Sequence, residues 1–128
     1  MKDSSIAWAA LFGFLGVALG AFGAHALQGT LTANDRLATW DTAVLYQFVH
    51  VGLLLVLGLL GRNAAEPGLL RASRFFAIAG ILIFSGSLYL LSITNIRWLG
   101  AITPIGGIGF LVAWACLFIH ALKNQESK

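Results

Sequence analysis

The stretch IAWAALFGFLGVALGAFGAHAL, Ile6 to Leu27, contains no formally charged residue. At about 1.5 Å per residue in a helix, it is long enough to cross a hydrocarbon core of about 30 Å. Its apolar side chains leave no polar face, and lipid cannot satisfy bare backbone amides, so a membrane-crossing helix is the conformation this stretch predicts. Ala24-His25-Ala26 has the small-x-small pattern of a signal cleavage site. The apolar run is nevertheless longer than a usual signal core and its start carries one Lys offset by Asp3, so the segment is expected to be retained.

Three further apolar stretches follow, and together they predict spans at about 6–27, 35–60, 75–94 and 104–122. The breaks between them are too short for a second domain, so residues 1–128 read as one unit. The expected fold is all-α: an integral membrane protein with four transmembrane helices in a compact bundle. Composition agrees, because 59% of the residues are hydrophobic and only 10% are charged. A soluble domain carries about a quarter charged residues, and the mean hydropathy here is +0.86.

The net charge of +3 comes from few groups, and no basic cluster with interleaved aromatics occurs, so no nucleic-acid partner is expected. Lys2, Arg62, Arg71, Arg74, Lys123 and Lys128 fall on the side of the termini, and only Arg36 and Arg97 fall on the other. That bias predicts a multi-pass protein with both termini facing the cytoplasm, or the equivalent synthesising compartment. Trp8, Trp40 and Trp98 lie near span ends, as in an interfacial aromatic belt.

Between helices in lipid, cohesion comes from close contact and a few hydrogen bonds. Small residues at helical spacing supply the contact: Gly13, Gly16 and Gly20 in the first span, Gly80 in the third, Gly106 and Gly109 in the fourth. Such edges pack the spans of one chain together or leave an edge for a homo-oligomer or another membrane protein. Membrane lipids are the one partner the composition itself demands.

Polar residues inside the spans raise the question of function. On the second helix, Asp35, Thr39, Thr42, Tyr46 and His50 recur on one side, with Arg36 and Gln47 at the margin. Thr32-Ala-Asn-Asp35 has capping-box-like spacing, which starts that helix nearby. Ser85, Ser87 and Tyr89 lie at comparable depth in the third span, and His25 lies near the outer boundary, within reach of Gln47 or Tyr46 across a hairpin. His25, Tyr46, Gln47, His50, Ser85, Ser87 and Tyr89 are therefore the candidate lining of a polar pocket in the outer half of the bundle. They serve equally well as interhelical hydrogen-bonding groups.

No cofactor or metal is expected from two histidines at unequal depth without an intramembrane carboxylate or a nearby thiol. The single Cys116 allows no internal disulfide. With no paired carboxylates in a span and no H-E-x-x-H, G-x-S-x-G or P-loop sequence, no enzyme is expected.

Taken together, GAFGAHAL (Gly20 to Leu27), TAVLYQFVHVGLL (Thr42 to Leu54), GILIFSGSLYLL (Gly80 to Leu91) and ITPIGG (Ile102 to Gly107) resemble the YgdD and YwdK type of small bacterial membrane proteins. This is a domain-of-unknown-function family with a mitochondrial-type branch in animals. The resemblance implies a compact four-helix inner-membrane protein of unestablished activity, and it supplies no catalytic residues. The first functional expectation is non-enzymatic binding of a small molecule, ion or lipid in the outer-half pocket, extending to transport. The alternative is a structural or assembly subunit that packs on another membrane protein through its small-residue edges.

Overall fold

The computed structural model describes residues 4–62 and 67–126. Lys2 and Lys128, which entered the charge count, lie outside them. The order of elements is α1 (Ser5–Ala24), α2 (Gln28–Ala33), α3 (Leu37–Gly61), α4 (Gly68–Gly80), a π-helical turn (Ile81–Ser85), α5 (Gly86–Thr94), a 3₁₀ turn (Arg97–Ala101) and α6 (Thr103–Glu126). No strand occurs among the described residues. Four helical stretches, Ser5–Ala24, Leu37–Gly61, Gly68–Thr94 and Arg97–Glu126, are long and apolar enough to cross a membrane. The four expected spans are all present.

The boundaries differ in instructive ways. The first span stops at Ala24, and a turn at His25 to Leu27 leads into the short α2 where a loop was expected. No capping box starts the second span. Thr32 Oγ1 donates to the Gln28 carbonyl inside α2, and α3 begins only at Leu37, after Asp35 in the left-handed region (φ 56°). The third span starts at Gly68 rather than Phe75, because its first turns tolerate Arg71 and Arg74 on the exposed and half-buried sides of α4.

Packing is organised as two hairpins. α1 runs along α3, α4 runs along α6, and the hairpins meet where α3 packs on the π turn and α5. The glycine edges make both hairpins close. Gly13 faces Val51, Gly16 faces the Phe48 ring and Gly20 faces Val44. At Gly23 a Cβ would collide with the Trp40 indole, whose Nε1–H donates to the Leu19 carbonyl at 3.0 Å. Trp40 is thus a buried packing residue, 2% exposed, and not a member of an interfacial belt; Trp98, 64% exposed, has the belt position.

In the second hairpin a Cβ at Gly106 would run into the backbone of Phe84, one at Gly80 would meet the Phe110 ring, and Gly109 lies on the Phe76 carbonyl. Both small-residue edges are therefore filled from within the chain. The π turn explains why Phe84 breaks the Ser73, Ala77, Gly80 edge. One extra residue per turn rotates Phe84 onto α6 and presents Ser85 to α3.

The apolar core falls into two parts. Ala9, Phe12, Leu53, Leu54, Leu57, Leu70, Ala77, Ile81, Phe110 and Ala113 form the half nearer the termini, and Ala43, Leu88, Leu91 and Leu99 form the half nearer α2. Between them lies a layer of buried polar side chains.

Candidate functional site

α3 aims two polar residues into that layer, one turn apart. Gln47 and His50 are each 2% exposed, on the same inward line as Trp40, Ala43 and Leu54. The expected stripe was centred one residue away, on Tyr46. In fact Gln47, placed at its margin, is as deeply set as His50, while Tyr46 is 41% exposed at the edge of the helix interface.

Gln47 ties three spans together. Its Nε2 donates to the Phe12 carbonyl of α1 at 2.7 Å, and its Oε1 accepts from the Tyr89 hydroxyl of α5 at 2.6 Å. Tyr89 is held edge-on against Trp40, with ring centroids 4.7 Å apart. Ser85 Oγ donates to the Ala43 carbonyl across the α3 interface at 2.8 Å. Ser87 and Thr103 share a hydroxyl contact of 2.6 Å at the α5–α6 junction. Among the described residues no buried side-chain nitrogen or oxygen lacks a partner.

His50 belongs to a different group. Its Nδ1 lies 2.7 Å from the Tyr46 carbonyl, and its Nε2 accepts from the Trp114 indole N–H at 3.0 Å. A carbonyl can only accept and an indole N–H can only donate, so the imidazole is neutral with its proton on Nδ1. The ring lies flat on Phe110 at a centroid distance of 3.5 Å, and Tyr46 rests on Phe84 at 4.7 Å. Phe110 and Trp114 project from α6 four residues apart, which puts them on one face.

Two grooves flank these groups. Between α3 and α6 lies a cleft of about 400 Å³ with walls including Tyr46, His50, Phe84, Pro104, Phe110 and Trp114. Between α1 and α5 lies a smaller groove of about 140 Å³, with Gln47 and Tyr89 among its lining residues. The candidate residues thus separate rather than converge on one pocket. Gln47 and Tyr89 share the α1–α5 side, Tyr46 and His50 the α3–α6 side, and Ser85 and Ser87 are each engaged at other helix contacts.

His25 joins neither group. It is exposed where α1 ends, and no hydrogen bond among the described residues connects it to Gln47 or Tyr46, because Gln47 is turned to Phe12, more than two helical turns along α1. Sequence reasoning passed over Trp114, Phe84 and Phe110 as site residues, and these supply the further aromatic walls of the larger cleft. The i, i+4 spacing of Phe110 and Trp114 was the available signal. Among the described residues no three His, Cys, Asp or Glu side chains come together as metal ligands.

Four apolar spans around an internally satisfied polar layer define a multi-pass integral membrane protein. The family model described as "Protein of unknown function (DUF423)" matches residues 19–107, and the chain belongs to this family. It is 41% identical over 114 residues to the membrane protein YwdK of Bacillus subtilis, covering 89% of this chain and 92% of that one. It is 44% identical over 115 residues to the membrane protein SERP0230 of Staphylococcus epidermidis, with 89% and 91% covered. With the inner membrane protein YgdD of Escherichia coli K12 it shares 37% identity over 120 residues, with 93% and 89% covered. The location in the inner membrane follows from these relatives and the four spans. No solved structure matches the chain.

Proposed function

We propose that this protein is a non-enzymatic binding protein of the inner membrane, and that its ligand is an amphipathic, lipid-like molecule seated in the cleft between α3 and α6. The observation that carries this reading is the Tyr46 hydroxyl. It stands at the wall of an aromatic cleft of about 400 Å³ and has no hydrogen bond among the described residues, unlike the Tyr89 hydroxyl on the other side of α3. A phenol in hydrocarbon seeks an acceptor, and an ester or carbonyl oxygen with an apolar tail supplies both the acceptor and the filling. The mutual satisfaction of Gln47, Ser85 and Ser87 argues against an ion or a sugar as ligand, since those groups have little left to offer.

The test uses lipid with brominated acyl chains titrated into detergent-purified protein, with tryptophan fluorescence as the readout. A saturable quench is expected that disappears in Trp114→Phe and needs about five-fold more lipid in Tyr46→Phe, the effect of losing one hydrogen bond worth about 1 kcal/mol. A quench that rises without saturation, or that is unaltered in both variants, would refute the reading.

A further inference from the structure

Resting on the lipid reading of the α3–α6 cleft, we propose that the bound molecule is a glycerophospholipid whose phosphate is held by Arg36 and Arg97 at the α2-side rim. Arg36 reaches the corner at Asn95 through a hydrogen bond, and Arg97 lies near the same corner along the chain. The Arg36 Nε–H donates to Asn95 Oδ1 at 3.2 Å, which leaves the two terminal nitrogens of the guanidinium without a described partner. Arg97 is exposed and follows Asn95 by two residues, within about 7 Å along the chain. Asn95 itself is fixed: it caps α5 in the left-handed region (φ 56°), and its amide N–H donates to the Leu91 carbonyl at 2.7 Å.

α2 braces the same corner. Asn34 donates from Nδ2 to the carbonyls of Ser92 and Ile93 at 3.0 and 3.1 Å. Two guanidinium groups rooted on a braced corner match the bidentate acceptor geometry of a phosphate. No ion pair among the described residues neutralises either arginine. Of the acidic groups on this rim, Asp35 is exposed beside Arg36, and Asp41, also exposed, is about 140° around α3 from it.

The rim and the cleft are joined along the chain. The 3₁₀ turn that starts at Arg97 leads directly into α6, where Pro104 is part of the cleft wall. Along α3, Arg36 stands about 15 Å above Tyr46 and about 80° around the helix from it. Helical side chains tilt toward the N-terminus, so the Tyr46 hydroxyl climbs toward the rim. A phosphate at the arginines then leaves one acyl chain long enough to run down past that hydroxyl along the aromatic wall.

Dioleoyl phosphatidic acid and dioleoylglycerol differ only in the phosphate, and their brominated forms make the comparison. Phosphatidic acid is expected to saturate the Trp114-dependent quench at a concentration at least ten-fold below dioleoylglycerol. Arg36→Gln with Arg97→Gln should remove that preference while leaving dioleoylglycerol unchanged. Asn95→Ala, which keeps both charges, should reduce it by a smaller factor. Inorganic phosphate at millimolar concentration should not compete, which separates a lipid head group from a free anion. Equal binding of the two lipids, or a preference that survives the double substitution, would overturn the phosphate assignment alone. Absence of a Trp114-dependent quench with either lipid would instead remove the cleft reading beneath it.

Discussion

On the α1 side of α3, Gln47 is enclosed by hydrogen bonds to Phe12 and Tyr89. On the α6 side of the same helix, Tyr46 and His50 stand at the wall of an open cleft. The two sides share depth and helix, and His50 joins α3 to α6 through Trp114, yet only the α6 side leaves a phenol, that of Tyr46, with no hydrogen bond among the described residues. A buried polar group that is fully satisfied specifies a packing arrangement. An unsatisfied one at a lipid-facing opening specifies a place for a visitor. On the proposed reading, the difference between cohesion and binding therefore lies in where hydrogen bonds end, and not in which residue types are present.

The largest way to break the contrast is to move α6. Gly106→Val sets a branched side chain against the Phe84 backbone, which cannot yield as a flexible side-chain tip would. A loss of about 3 kcal/mol or more is expected, read as a collapse in monodisperse yield and melting temperature in detergent. Gly16→Leu, against the mobile Phe48 ring, should cost less and should weaken the fold rather than any partner interaction.

Next in size is Gln47→Leu, which strands the Tyr89 hydroxyl. It should cost about 1–3 kcal/mol in thermal stability while sparing lipid binding in the α3–α6 cleft. Trp114→Phe removes a single interhelical hydrogen bond and should cost about 1 kcal/mol. In nitrogen NMR of selectively labelled histidine, His50 should show the Nδ1–H tautomer, with its Nε2 resonance shifting in Trp114→Phe. A cationic ring at neutral pH would contradict the bond to Trp114. Smallest of all, Tyr46→Phe should leave stability within about 0.5 kcal/mol. That is the sharpest form of the comparison, because Tyr89→Phe, which deletes a made hydrogen bond, should be measurably worse.

The four spans were legible because lipid imposes one rule on every turn of every helix: apolar length. Ile6 to Leu27 carries that rule in its composition alone. The glycine edges were legible too, although their use within one chain depends on a partner surface, such as Phe48 for Gly16, that spacing does not name. The polar layer was only partly readable. Periodicity put Tyr46 on the polar side and Gln47 about 100° away at its margin, and the choice of which one faces inward is made by the Phe12 carbonyl and Tyr89 on other helices. The π turn was not readable, since its extra residue is selected by the fit of Phe84 over Gly106 and of Ser85 on the Ala43 carbonyl.

The separation of the two grooves is tested most directly by crystals grown with lipid brominated on its acyl chains, located by bromine anomalous scattering. The account predicts ordered bromine along the cleft between α3 and α6, beside Tyr46 and Trp114. Ordered bromine confined to the α1–α5 groove over Gln47 and Tyr89, or none at either place, would contradict it.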